Sequence, residues 1–185
     1  MNINEIRDRS TSGSFPVEAL KGADTACLLF CAAFHGSNDA IFVHDAGIKR
    51  ALLIDNDYRK LTEMEAAWCS YQPNWDFQTG DAFGFLQRAA ERFDVVVADP
   101  WTGHISRALK MLNVWHRYVD RALIVGVTMI FLAEQGLPPT LDGFNRWLQF
   151  TFPNLPPASD LHKRSDYRGG VYWAVIPGKD HTPDA

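Results

Sequence analysis

Three things are scarce in this sequence. Cysteine occurs only as Cys27, Cys31 and Cys69, with no paired spacing. That pattern excludes a disulfide framework and a zinc site of the paired-cysteine kind. Cys27 and Cys31 fall in an apolar stretch and read as small core residues. Long apolar runs are missing as well. None approaches the roughly 18 residues that cross a bilayer, so no membrane partner is expected. The opening residues, Met1 to Ser10, hold no apolar signal core and predict a cytoplasmic protein. The third shortage is of positive charge. Eighteen Lys and Arg face 22 Asp and Glu, a net charge of −4. A protein built to grip nucleic acid through charge carries a basic face. Here the one basic cluster is His162, Lys163, Arg164 and Arg168, which weighs against a nucleic-acid substrate but leaves one open. A Gly-x-Gly-x-x-Gly run is also lacking after the first apolar strand, which argues against a nicotinamide-dependent oxidoreductase.

What is present is an ordinary globular composition, 46% apolar and 22% charged over 185 residues. That length supports one domain with a full core and leaves little room for a second. Residues 1–14 are polar, end in Ser10 to Ser14, and read as a flexible segment; 15–178 form the domain and 179–185 a tail. The order predicted along the domain is as follows. A helical turn over Val17 to Leu20 stops at Gly22. A strand spans Thr25 to Ala33, and a helix capped by Ser37 or Asn38 runs to about Ala46 with Gly47 just past its end. The strand Ala51 to Ile54 precedes a helix from Tyr58 to Ser70, and the strand Trp75 to Thr79 precedes a helix from Ala82 to Arg92. Phe93 to Ala98 is a strand apolar enough to be buried on both faces. Ile105 to Val119 is an amphipathic helix with Ile105, Ala108, Leu109, Leu112, Trp115, His116 and Val119 on one face. Arg121 to Val127 is another buried strand. Pro138-Pro139 splits Phe131 to Phe150 into two helical pieces, and Pro153 to Pro157 is a loop. Asp160 to Arg164 and Val171 to Ile176 form a hairpin turning at Gly169-Gly170. Strand and helix alternate throughout, so the fold class is α/β: a doubly wound, mostly parallel sheet with helices on both faces, closed by an antiparallel hairpin strand.

Asp55, Asp81 and Asp99 each follow the last residue of a predicted strand. In a parallel sheet all three carboxylates emerge at one edge, where doubly wound folds place their ligand crevice. Acids at such positions also begin helices and favour their dipoles. That accounts for Asp81 as well as a binding role does. It fits Asp55 poorly, because Asn56 and Asp57 lie nearer the helix start, and it fits Asp99 poorly, because Thr102 is the better N-cap. Asp55 lies twenty positions beyond His35, the spacing at which an acid accepts from the ribose hydroxyls of a nucleoside cofactor. His35 and His104 fall near the same edge. A lone histidine is usually structural; of the two, His104 is the better candidate base. Trp68, Trp75, Trp115 and Trp147 sit at helical or strand positions suited to a core.

From about Thr25 to Ile176 the chain resembles the class I S-adenosylmethionine-dependent methyltransferases. Leu28 to Ser37 stands where that family has its first strand and glycine-rich loop. Leu53 to Asp57 is similar to its second strand and ribose-binding acid, and Thr79 to Phe83 to the segment that holds the adenine. Asp99-Pro100-Trp101 is similar to the Asp/Asn-Pro-Pro-aromatic motif of members that methylate exocyclic amino groups. The resemblance implies a Rossmann-like domain that binds S-adenosyl-L-methionine through Ala33, His35, Gly36, Asp55, Asn56, Asp81 and Ala82, with no metal. It implies catalysis through Asp99, Pro100 and Trp101 on an amino group of a nucleobase or nucleic acid. The chain departs from the family pattern twice. The glycine loop reads Cys31, Ala33 and His35, leaving only Gly36, and Trp101 follows Pro100 one position early. The glycine-poor loop opens a second expectation, a non-catalytic binding or accessory subunit with this fold. No separate target-recognition segment is evident, so the expected acceptor is small or single-stranded, or is presented by a partner protein.

Overall fold

The computed structural model describes residues 15–31, 38–88, 91–100, 102–163 and 171–179. Seven strands form one sheet: β1 (Thr25–Leu29), β2 (Arg50–Asp55), β3 (Trp75–Thr79), β4 (Phe93–Ala98), β5 (Val119–Thr128), β6 (Asp160–Lys163) and β7 (Val171–Pro177). The spatial order is β3-β2-β1-β4-β5-β7-β6. β1 to β5 pair in parallel, while β7 runs antiparallel to both β5 and β6. The expected mostly parallel, Rossmann-like sheet with an antiparallel closing hairpin is therefore present; its turn at Gly169-Gly170 lies outside the described residues.

Why the central strands are apolar throughout is visible at β4. Val95 and Val97 enter one core and Val96 and Ala98 the other, so the period-two alternation of a strand meets helices on both sides. One core lies under α1 (Asn38–Asp45), α2 (Tyr58–Trp68) and the 3-10 turn Val17–Leu20. It gathers Leu20, Ile41, Val43, Leu61, Met64 and Trp68 over Leu28, Leu53 and Ile124. The other lies under α3 (Ile105–Trp115), α4 (Ile130–Glu134) and α5 (Leu141–Thr151), with Leu112, Trp115, Leu132, Phe144 and Leu148 against Val96, Leu123 and Val125. Cys27 and Cys31 are buried, and burial pushes both thiols well above their ordinary titration range. Neither is a ready nucleophile.

Local signals explain several boundaries. Gly47 sits at φ +76°, where its N–H donates to His44 O (2.9 Å) and the N–H of Ile48 to Val43 O (3.3 Å). This Schellman arrangement stops α1 where the sequence predicts. The prolines at 138 and 139 separate α4 from α5, and the Thr140 hydroxyl caps α5 by accepting from the Gly143 N–H at 3.2 Å. At the amino ends of β1 and β4, the Asp94 carboxylate accepts from the N–H groups of Asp24 (2.8 Å) and Thr25 (2.9 Å) and from the Thr25 hydroxyl (3.1 Å).

Four expectations are corrected. β1 stops at Leu29 instead of reaching Ala33, because Phe30 turns the chain at φ +64° while its N–H still donates to Ile54 O at 3.0 Å. The helix expected over Ala82 to Arg92 does not form over 82–88, which run through successive turns. There Asp81 Oδ1 accepts from the Phe83 N–H (3.1 Å) and Asp81 O from the Gly84 N–H (3.1 Å). A side chain competing for a backbone donor, followed by a glycine, disfavours helix at that point. Thr102 is not the N-cap of α3. A 3-10 turn, Thr102–His104, precedes that helix, and His104 holds the N-cap position without a side-chain cap bond. Last, α3 ends at Trp115, so the predicted face is right but Val119 opens β5.

His116 follows α3 and is buried, with its Nε2 2.7 Å from Pro177 O. A carbonyl only accepts, so this nitrogen carries the proton and donates. Burial holds the His116 imidazole below its ordinary value of 6.5; the Pro177 bond opposes the shift, and the Lys179 and Arg92 charges add to it. The unfolded chain therefore takes up the proton at higher pH than the folded one. Stability from this site is complete above pH 6.5 and is lost as pH falls through the lowered folded value. Urea denaturation at pH 7.5 and at pH 5.5 is expected to show a lower midpoint at the acid value. The gap should narrow in His116→Gln; an equal gap in both proteins would remove His116 as its source.

Candidate functional site

The sheet reverses its winding direction between β1 and β4, and the carboxyl ends of these two strands meet there: the Asp99 N–H donates to Leu29 O at 3.3 Å. Next to this switch point lies a cleft of about 230 Å³. It is lined by Phe30 after β1, by Asp55, Asn56, Asp57 and Lys60 at the junction of β2 and α2, by Asp81, Ala82 and Phe83 after β3, and by His104 and Arg107 at the start of α3. The actual strand order thus puts this cleft where open α/β sheets bind their ligands, outside the carboxyl ends of the strands at a switch point.

Asp55 is the best-defined group in this cleft. It is only 4% exposed, and its Oδ1 accepts from the N–H of Asp57 at 2.9 Å. Asp57 in turn caps α2, its Oδ1 accepting from the Lys60 N–H at 3.2 Å. The turn Asp55 to Asp57 therefore fixes the Asp55 carboxylate before any ligand arrives. A carboxylate offers about four acceptor sites, the kind of group that meets hydroxyl donors. Across the cleft, Asp81 is exposed while Ala82 and Phe83 behind it are buried. The Phe83 ring carries the Arg107 guanidinium 3.9 Å from its centroid and is stacked with His104 at 5.9 Å. Phe83 and Phe30 meet edge to face at 4.9 Å, and both rest on the Trp115 ring. The result is an acidic mouth over an aromatic floor.

Two ion pairs lie at the rim, Arg107 to Asp81 between separate segments and Lys60 to Asp57 within one turn, each at 3.7 Å. Exposed pairs of this kind contribute about 0–1 kcal/mol, so a ligand displaces them at low cost. Among the described residues no group of three or more His, Cys, Asp or Glu side chains could hold a metal ion, and no helix is long and apolar enough to cross a membrane.

The sequence-derived candidates divide in three. Asp55, Asn56, Asp81 and Ala82, expected to bind the cofactor, all line the cleft, and so does His104. Asp99, half-buried, and Pro100, buried, sit at the end of β4 at the same sheet edge but are not among the cleft-lining residues. The Asp99 carboxylate instead lies against Gly126 of β5. Ala33, His35, Gly36 and Trp101 fall outside the described residues. Sequence reasoning missed Phe30, Lys60 and Arg107. Lys60 and Arg107 are ordinary exposed positions on amphipathic helices, and only the strand order brings them to one cleft. Phe83 was legible only as part of a segment.

No family model matches the chain, and no curated protein does. Solved structures do. An O-methyltransferase from Bacillus cereus, in complex with SAH, superposes with a TM-score of 0.65 at 12% identity, covering 95% of this chain and 90% of that one. Fibrillarin from Aeropyrum pernix, with natively bound S-adenosyl-L-methionine, gives 0.61 at 12% identity over 95% of this chain and 74% of that one. An rRNA methylase from Streptococcus thermophilus gives 0.61 at 10% identity over 88% and 90%. At such identities the likeness speaks to architecture: the chain has the Rossmann-like fold of these methyltransferases.

Proposed function

We propose that this chain is an S-adenosylmethionine-dependent methyltransferase whose acceptor is an exocyclic amino group on a nucleobase, free or in a single-stranded nucleic acid. The observation that carries the reading is Asp55: a buried carboxylate at the end of the second strand, oriented by its own turn, in a cleft beside the switch point. It suits two adjacent ribose hydroxyls. Asn56 and Ala82 border the same space, Asp81 stands at the rim where an amino group of an adenine would reach it, and Phe30 and Phe83 supply apolar surface for the ring. The bound SAH and S-adenosyl-L-methionine of two structures with this fold favour the same ligand.

The cofactor, when bound, would supply an electrophilic methyl carbon with a neutral thioether as its leaving group. What the protein adds is mostly alignment. An amino group on a heteroaromatic ring has its lone pair drawn into the ring. The Asp99 carboxylate and the Pro100 carbonyl, both pure acceptors, hold its hydrogens and favour the more nucleophilic geometry. The carboxylate also holds the proton that the methylated nitrogen gives up. Trp101 contributes a ring for stacking the base, an interaction of about 1–3 kcal/mol.

Isothermal titration with S-adenosylhomocysteine, and separately with NAD, tests the cofactor. Binding of the first and not the second is expected. Asp55→Ala is expected to weaken it by about 1.5–3 kcal/mol, the range for hydrogen bonds to a charged group, or roughly 10- to 150-fold. Unchanged affinity in a folded Asp55→Ala protein would place the ribose elsewhere. One observation favours the accessory-subunit alternative: Arg107 already covers the Phe83 face and pairs with Asp81. That reading takes the lead if the wild-type protein binds neither ligand.

A further inference from the structure

Glycine occurs once within the seven strands, at Gly126 in β5. A glycine inside a buried strand weakens it and often marks a place where another group comes close. The group here is identifiable. A Cβ built on Gly126 would stand 2.8 Å from Asp99 Oδ1, and 3.7 Å from both Ala98 O and Asp99 Cα. Real Cβ atoms essentially never come this near, so the Asp99 carboxylate occupies the space a side chain at 126 would need. Its neighbours frame that space. Gly126 pairs with Trp173 of β7, which is buried, and the adjacent Ala98 pairs with Val125. The side chain of residue 99 thus lies against β5 and is not among the residues that line the cleft holding Asp55.

We infer that Gly126 is a positioning residue for Asp99: its bare Cα lets the carboxylate lie over β5, on the acceptor side of the switch point, in the one orientation that an amino acceptor would meet. The functional half of this inference rests on the methyltransferase reading above; the contact does not. A methyl group at 126 drives the Asp99 side chain into another staggered well or forces the strand to move.

Gly126→Ala, Asp99→Ala and the double variant test it. In Gly126→Ala the carboxyl ¹³C resonance of Asp99, assigned by its loss in Asp99→Ala, is expected to move while those of Asp55 and Asp81 stay. The melting temperature should drop in Gly126→Ala, and the same substitution should cost little in the Asp99→Ala background. S-adenosylhomocysteine affinity should be unchanged in all three. Transfer from methyl-labelled S-adenosylmethionine to single-stranded oligonucleotides should fall in Gly126→Ala by about 10²-fold, the scale of a misplaced catalytic contact, in kcat more than in KM. An Asp99 resonance that stays in place would overturn the inference. So would a melting loss equally large with and without the Asp99 side chain, or a double variant that fails to fold when Gly126→Ala fails. If the wild-type protein does not bind S-adenosylhomocysteine, the methyltransferase reading falls, and the resonance and the melting cycle still decide the contact.

Discussion

Replacing Asp99 by alanine is expected to lower methyl transfer by about 10²-fold or more, the scale of losing a placed electrostatic contact, while leaving S-adenosylhomocysteine affinity intact. The separation follows from geometry. The cleft beside the switch point is lined by Asp55, Asn56 and Asp81, whereas the Asp99 carboxylate lies over Gly126 of the next strand. A residue that meets only the acceptor moves turnover without moving cofactor affinity. Asp99→Asn should be milder, because its amide oxygen can still accept from an amino hydrogen, although it cannot hold the departing proton. The competing account makes Asp99 a helix cap, and it predicts a loss of about 1 kcal/mol of stability with normal turnover. α3 begins at Ile105 with His104 in the cap position, so the cap account starts with the wrong residue. Three measurements on each variant decide the matter: melting temperature, affinity by calorimetry, and transfer of a labelled methyl group to single-stranded oligonucleotides. Earlier melting with full turnover would move the acceptor site away from Asp99.

How much of this was legible beforehand depends on how local the cause is. Strand period is local: Val95, Val96 and Val97 announce a two-faced strand because each residue alone must face one core or the other. Stops are local too, so the turn at Gly47 and the break at Pro138-Pro139 were visible. Three acids at strand ends became three acids at one sheet edge once the strands proved parallel. One failure has a local cause that a helical pattern hides, and the others have non-local causes. Residues 82–88 contain an acceptable helical pattern, with Ala82, Phe83 and Leu86 all buried, yet the Asp81 side chain takes a backbone donor and the chain turns instead. Phe30 adopts φ +64°, a conformation that costs an L residue about 1–2 kcal/mol, and nothing in its side chain forecasts that. Its aromatic contacts with Phe83 and Trp115 compensate, and they join residues 53 and 85 positions apart. Arg107 belongs to the same class. Its place over Phe83 follows from packing α3 beside the loop after β3.

Those contacts converge on Trp115, and Trp115→Ala is the substitution expected to cost the most stability, about 3–5 kcal/mol for emptying a fully buried aromatic site. The ring is wholly buried in the core under α3. It lies 6.0 Å from the Phe30 ring and 6.4 Å from that of Phe83, edge-on to the first and stacked with the second. Both phenylalanines line the cleft, so the cavity left by alanine opens directly beneath the proposed cofactor. Affinity for S-adenosylhomocysteine should therefore fall along with stability, although Trp115 does not line the cleft. Trp115→Phe separates the two roles. The Trp115 Nε1 is buried with no hydrogen-bond partner among the described residues, a state that costs about 1–3 kcal/mol. Phenylalanine gives up part of the packed area but also removes that unpaired donor. Its net cost should stay under about 1.5 kcal/mol, as for other shape-conserving core exchanges, with cofactor affinity close to wild type. Urea denaturation of both variants, together with calorimetry under conditions where each remains folded, provides the comparison. Equal losses in the phenylalanine and alanine variants would mean that the indole nitrogen has a partner after all, and full affinity in a folded Trp115→Ala protein would show that Phe30 and Phe83 hold the cleft open without support from below.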